Sequence, residues 1–97
     1  MFVRPELLKP DWSRDRIMAE VSAAGVPCYS GSCSEIYLEK AFEQPLHGVN
    51  LRPGERYPVA RELGETSLML LVHPTLSEEN ISAAIRVVKE VVTRATR

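Results

Sequence analysis

Cysteine is scarce in this chain, with only Cys28 and Cys33 among 97 residues. A disulfide or a metal pair between them is conceivable, but a four-ligand zinc site needs more cysteine or histidine than this part of the chain supplies. His47 and His73 both lie far along the chain. We therefore predict two ordinary reduced thiols and no metal site, with a cysteine-based redox or metal protein as one alternative hypothesis.

Long hydrophobic runs and an excess of charge of either sign are also absent. The longest apolar run, Leu68–Val72, is far too short to span a bilayer. The first residues, MFVRPELL, have neither the apolar core nor the cleavage site of a signal peptide. With 12 basic and 13 acidic residues the net charge is -1, so no large positive field favours nucleic acid or an anionic membrane. We therefore expect a soluble cytoplasmic protein that binds neither of them.

The chain does contain enough apolar sequence for one domain over residues 1–97. Its length is near the usual single-domain size, and 44% of its residues are hydrophobic. A domain this small buries only about 60–68% of the surface that its unfolded chain exposes. Ser13 is the predicted N-cap of a first helix, with Trp12 and Ile17 at the positions of a hydrophobic staple, and Gly25 is a natural stop. These signals predict a helix over residues 13–24.

The last helix is marked just as clearly. Ser77 is its predicted cap, and Leu76 and Ile81 form a second staple. Apolar residues then recur at helical spacing as far as Ala95, which predicts one buried face. The spacing also predicts ion pairs from Glu90 to Arg86 and to Arg94 along the exposed face.

Three apolar segments are strand candidates. Val26–Tyr29 is a plausible short strand, and Thr66–Val72 is a nearly continuous apolar run suited to burial on both faces. Met1–Val3 looks like the end of a strand that begins earlier. The remaining sequence predicts one or two helical turns over Ser34–Phe42, a loop over Glu43–Arg56 and a short helix over Pro58–Gly64. This order predicts an α+β fold, with helices packed on a short mixed or antiparallel sheet.

Three stretches in this order carry a resemblance to a known family: WSRDRIMAEVSAAGVP, then GSCSEIYLEKAF, then YPVARELGETSLMLLVHPTLSEENI. Together they resemble the small C-terminal domain of the DegT/DnrJ/EryC1/StrS family, the pyridoxal-phosphate-dependent sugar aminotransferases of fold type I. The most specific parts are Gly-Val-Pro after a helix, Ala-Arg-Glu-Leu before a strand, and His-Pro-Thr-Leu-Ser at the start of the final helix. The resemblance covers nearly the whole chain.

The resemblance implies a parent enzyme that moves an amino group, usually from glutamate, onto a nucleotide-linked keto sugar. Such sugars enter cell-surface polysaccharides and antibiotic glycosides. It implies a homodimer whose pyridoxal phosphate (PLP) is held by a Schiff-base lysine in a large N-terminal domain. The lysines of this chain are Lys9, Lys40 and Lys89, and none stands in the family's catalytic setting. We therefore expect a fragment that lacks the cofactor domain, binds no cofactor covalently and is inactive alone.

In the family, the loop after the second strand of this domain approaches the active site, and many members carry a histidine there. The corresponding stretch here, Ser30–Tyr37, has no histidine. The resemblance therefore places Ser32, Cys33, Ser34 and Glu35 nearest to the substrate, where hydroxyls and a carboxylate could hydrogen-bond a sugar. The alternative is a small-residue connector with a helix N-cap at Ser34.

Other candidates are better explained by structure than by chemistry. His73 precedes a proline at a strand exit, where a histidine more often bonds local backbone than acts as a base. Cys33 would need a base and a lowered pKa to act as a nucleophile, and no partner is evident. Tyr29 and Tyr37 are expected to pack with their hydroxyls exposed.

The sequence leaves a second hypothesis open: a stand-alone α+β binding module of related ancestry. Its mark would be a sealed N-terminal edge, whereas Met1–Val3 looks like an open one. An exposed edge or apolar surface predicts self-association of the isolated chain.

Overall fold

A computed structural model of the chain describes residues 1–31, 33–45, 47–50, 52 and 54–97. Within these residues the fold is α+β, with three α-helices and a two-stranded antiparallel sheet. The elements follow in the order α1 (Arg14–Ala23), β1 (Cys28–Ser30), α2 (Pro58–Thr66), β2 (Leu68–Leu70) and α3 (Glu78–Ala95). Single 3-10 turns occur at Pro5–Leu7, Ile36–Leu38 and Lys40–Phe42. The predicted fold class is confirmed.

The sheet is built around β2. On one side β1 runs antiparallel to it, with Tyr29 opposite Met69. On the other side Phe2 forms an antiparallel bridge to Ser67, and the N–H of Val3 donates to the carbonyl oxygen of Thr66 at 2.9 Å. The predicted N-terminal strand is therefore a single bridge, and it occupies the edge of β2 that β1 leaves open.

The core lies on one face of this sheet, under α1 and α3. Alternate residues of a strand point to opposite faces, so Leu68 enters the core while Ser67 and Met69 face the other way. The buried apolar residues are Val3, Leu8, Ile17, Val21, Cys28, Leu68, Val91 and Ala95. All of them belong to one cluster, as the thin core of a small domain requires.

Both long helices begin where the sequence predicts. The Ser13 hydroxyl accepts from the N–H of Arg16 at 3.1 Å, and Gly25 follows α1 with a φ of +89°. At α3 the Ser77 hydroxyl accepts from the N–H of Asn80 at 3.1 Å, and the Asn80 side chain accepts from the N–H of Ser77 at 3.2 Å. This reciprocal arrangement is a capping box completed by asparagine, where glutamate or glutamine is usual.

Two burial predictions were wrong. The strand expected over Thr66–Val72 spans only Leu68–Leu70, and Leu71 and Val72 are 52% and 92% exposed. In α3 Val91 and Ala95 of the last turns are buried, but Ile81 and Ile85 are 47% and 63% exposed. Their side of the helix looks onto an open apolar groove beside the end of β2. Periodicity located the apolar stripe correctly, but it could not show that no element among the described residues packs against this part of it.

The predicted ion pairs along α3 were wrong as well. Among the described residues no ion pair joins Glu90 to Arg86 or Arg94. Arg94 instead contacts Glu20 of α1 at 3.1 Å, and its guanidinium lies 5.8 Å from the centre of the Trp12 ring. The pair therefore links two helices, which a spacing rule within one helix cannot anticipate.

In the part of the chain that the structure describes, no helix is long and apolar enough to cross a membrane.

Candidate functional site

The segment that follows β1 lies directly against the junction of α2 and β2. The N–H of Gly31 donates to the carbonyl oxygen of Ser67 at 3.3 Å. A Cβ added at Gly31 would lie only 2.6 Å from the Cβ of Ser67, and one added at Gly64 would lie 2.7 Å from the Ser34 hydroxyl oxygen. The two glycines thus permit a close approach that a side chain would prevent.

Arg14 fixes the same junction from the side of α1. One of its guanidinium nitrogens donates to the carbonyl oxygens of Ser67 at 2.7 Å and of Gly64 at 3.1 Å. Its side chain is 15% exposed, and it also pairs with Asp15 at 2.6 Å. The carbonyls at the end of α2, which have no partner within their own helix, are thereby satisfied by a charged donor.

A polar cluster holds the next residues of the segment. The Arg56 guanidinium donates to both carboxylate oxygens of Glu35, through Nε to Oε1 at 2.7 Å and through Nη2 to Oε2. The Tyr37 hydroxyl donates to the same Oε1 at 2.8 Å and accepts from the N–H of Tyr57 at 3.0 Å. The Tyr37 and Tyr57 rings meet edge to face at 5.2 Å. We call Glu35, Tyr37, Arg56 and Tyr57 the Glu35 cluster.

The cluster defines the protonation state of its carboxylate. The Arg56 hydrogen bonds lower the pKa of Glu35 to about 2, with a smaller contribution from Tyr37, and partial burial opposes them. Burial, followed by the bond to Glu35, raises the pKa of Tyr37. Glu35 is thus ionised near neutral pH, and its side chain is only 13% exposed. A carboxylate engaged in this way is suited to positioning Arg56 and Tyr37, and poorly suited to accepting a proton.

Cys33 lies beside this cluster with an exposed thiol. Its Sγ lies 3.1 Å from Oε1 of Glu39, and this hydrogen bond raises the pKa of Cys33. Cys28 is buried, and desolvation raises the pKa of that thiol too. Raised values disfavour the thiolate that a nucleophile needs. That both are ordinary reduced thiols stays a prediction. No group of three potential metal ligands comes together among the residues that the structure describes.

An apolar cleft opens where this segment, α2 and β2 meet. It has a volume of about 720 Å³, within the size range of small-molecule sites. Phe2 and Tyr57 border it with 64% and 57% of their surface exposed. Two hydroxyl side chains, Ser34 and Ser67, also line it.

Of the predicted substrate-proximal residues, the structure brings Ser34 to this cleft, while Glu35 pairs with Arg56. Cys33 lies next to them, and Ser32 lies outside the described residues. The role of all four toward a substrate stays a prediction. Sequence reasoning missed the contact of Arg56 with Glu35 and that of Tyr57 with Tyr37, because these partners are 21 and 20 positions apart and no local pattern links them. Opposite charge at Glu35 and Arg56 was the one available signal.

His73 has the local role predicted for it. Its Nδ1 accepts from the N–H of Thr75 at 3.2 Å and lies 2.7 Å from the Thr75 hydroxyl, while the N–H of Leu76 donates to the His73 carbonyl at 3.0 Å. These bonds shape the turn between β2 and α3. Nothing in this arrangement points to a base aimed at a substrate.

The described residues of this chain do not fit a PLP site. A Schiff-base lysine needs a cleft position and a carboxylate facing the cofactor nitrogen. Lys9 instead donates to the carbonyl oxygen of Arg94 at 2.6 Å on the surface, and Lys40 is exposed in a 3-10 turn. Lys89 is exposed on α3 at the border of its apolar groove, whose described lining includes no Asp or Glu. The lysine and carboxylate of a PLP site are therefore not found together among the residues that the structure describes.

Comparison with solved structures links this α+β domain to the aminotransferases. It is similar to a part of the aminotransferase from Psychrobacter cryohalolentis, with 51% sequence identity and a TM-score of 0.85 over 97% of this chain. The matched part is 23% of that aminotransferase, so this chain spans less than a quarter of its length. No family model matches the chain, and a search of curated proteins finds no match. The likeness supports aminotransferase ancestry.

Proposed function

We propose that this chain is the small C-terminal domain of a PLP-dependent sugar aminotransferase of the DegT/DnrJ/EryC1/StrS family. Its parent transfers an amino group from glutamate to a nucleotide-linked keto sugar used in cell-surface polysaccharide or glycoside synthesis. The parent works in the cytoplasm as a homodimer. The observation that carries the proposal is the 51% identity and TM-score of 0.85 to part of a solved aminotransferase.

Within such an enzyme PLP supplies the electron sink for amino transfer, and it is held by residues outside this chain. This chain contributes shape and position. The Glu35 cluster holds the segment after β1 against α2, and this segment presents the Ser34 hydroxyl at the cleft. A hydroxyl fixed in this way can hydrogen-bond a sugar hydroxyl without a large loss of side-chain freedom on binding.

The test is a chimera in which the matched part of the Psychrobacter cryohalolentis aminotransferase is replaced by this chain. We expect the chimera to retain bound PLP, seen by its absorbance. We also expect it to form 2-oxoglutarate from glutamate with at least one member of a panel of nucleotide-linked keto sugars. The unexchanged enzyme is the positive control. A chimera carrying Val21→Asp is the negative control, because a charge in the core should unfold this domain and abolish any activity that depends on it.

A folded chimera that binds PLP but transfers no amino group to any sugar of the panel would contradict the sugar substrate. One that folds but binds no PLP would contradict the wider proposal. In that case the stand-alone binding module becomes the better description.

A further inference from the structure

One face of the sheet has no covering element among the described residues. Helices α1 and α3 cover the face that carries Cys28 and Leu68. The opposite face carries Phe2, Tyr29 and Met69, which are 64%, 56% and 48% exposed. We call these three residues the open sheet face. Large apolar side chains that are grouped together on the surface of a folded protein often mark an interaction site.

The open sheet face continues into the cleft against α2. Gly31 and Ser67 lie side by side at this point, and such small residues leave room above the sheet. Val59 and Leu63 of α2, 66% and 40% exposed, form the opposite wall. Phe2 and Met69 of the open sheet face also line the cleft, so the two join in one apolar concavity.

The side chains that line this concavity favour an apolar polypeptide over a nucleotide-linked sugar as its partner. No charged side chain is among its described lining residues, so the phosphates of a nucleotide-linked sugar would find no side-chain counter-charge there. An apolar polypeptide surface needs no such partner, and burying these aromatic and aliphatic side chains stabilises the contact. The solved aminotransferase indicates which polypeptide this could be, because most of its chain lies outside the part that matches this domain.

We propose that the open sheet face and its cleft against α2 are where the remaining part of an aminotransferase subunit packs on this domain. The inference rests on the proposed function for the identity of the partner. Ser34 and Tyr57 also line this cleft, so the segment after β1 lies at the junction between the two parts. Residues at such a junction can contact a ligand held mainly by the other part.

Met69 provides a direct probe, since methionine is oxidised at a rate that follows its exposure. Peroxide oxidation followed by peptide mass spectrometry compares Met69 with the partly buried Met18, first in the isolated chain and then in the chimera described above. We expect Met69 to react faster than Met18 in the isolated chain. In the chimera it should react no faster than Met18, with no substrate added.

A pair of variants tests the same surface by thermal unfolding. Met69→Lys in the chimera should lower its melting temperature or divide one transition into two, while circular dichroism shows the isolated variant still folded. Ser82→Lys introduces the same side chain at an exposed position of α3 and should leave the chimera unchanged.

Several outcomes would overturn the inference. Met69 that stays reactive in an active chimera means that this face is not the contact. Protection that develops only when substrate is added assigns the cleft to a small molecule. Protection in the isolated chain that grows with its concentration assigns the face to a second copy. An inactive chimera with protected Met69 would instead count against the proposed function and leave the contact standing.

Discussion

At the scale of single residues, Gly31 sets how closely the segment after β1 approaches β2. An alanine Cβ there would lie 2.6 Å from the Cβ of Ser67, closer than side chains pack. We expect Gly31→Ala to destabilise the chain by about 1–3 kcal/mol, measured by urea unfolding, because the backbone must shift to relieve the overlap. Gly54→Ala is the matched control, since no atom of the other described residues lies within 4 Å of the added Cβ.

A double-mutant cycle identifies the cause. In a Ser67→Gly background the overlap is removed, so Gly31→Ala should cost less there than in the native chain. Equal costs in both backgrounds would show that the loss comes from something other than this contact.

Glu35 predicts a pH dependence whose sign follows from its pKa. The folded-state pKa is about 2, below the ordinary value of 4.5, so the cluster stabilises the fold fully above pH 4.5. That contribution is lost as pH falls toward 2. The free energy of unfolding of native chain should therefore exceed that of Glu35→Gln near neutral pH, and the gap should narrow between pH 4.5 and 2.

Urea unfolding at a series of pH values measures this gap. Glu55→Gln removes a negative charge from an exposed side chain in the loop before α2, and it controls for the change in net charge. A gap between native chain and Glu35→Gln that is constant over the acid range would exclude the Arg56 hydrogen bonds as its cause.

At the scale of elements, α3 depends on its first turn. The capping box satisfies backbone N–H groups that the helix itself cannot, so Ser77→Ala should destabilise the chain by about 1 kcal/mol. Ser82→Ala, at an exposed interior position of the same helix, should be neutral or slightly stabilising, because alanine favours the helix. Urea midpoints of the two variants give the comparison, and equal effects would show that the cap contributes nothing.

Strand β2 shows how neighbours decide an element's extent. Its sequence remains apolar through Val72, yet it pairs with β1 only over Leu68–Leu70. Beyond that point the chain enters the turn that His73 and Thr75 shape, and no strand among the described residues continues the ladder. The strand ends because its pairing ends, although its side chains favour a longer one.

At the scale of the whole molecule, apolar surface is unevenly distributed. The open sheet face and the groove beside α3 both leave large aliphatic or aromatic side chains in contact with water. We expect the isolated chain to self-associate at high concentration, since burying such surface lowers its free energy. Sedimentation velocity over a concentration series measures this. A monomer throughout, with no binding of a hydrophobic dye, would favour the stand-alone module.

The local features of this protein could be read from the sequence. The caps at Ser13 and Ser77 and the turn at His73 depend on residues two or three positions apart. A short stretch of sequence therefore contains both partners of each contact. The α+β class followed from the order of such segments. The resemblance to an aminotransferase domain likewise needed only the sequence, and similarity to a solved aminotransferase now supports that ancestry.

The tertiary structure alone decided which apolar residues are buried and which charges meet. Ile81 and Val91 belong to one amphipathic pattern, yet only Val91 has neighbours to cover it. Arg94 contacts Glu20 across two helices, and Arg56 contacts Glu35 from 21 positions away. Periodicity specifies a direction around a helix or strand. Burial and ion pairing require a second element that faces this side of the helix or strand. The position of that element is set by the packing of the whole chain.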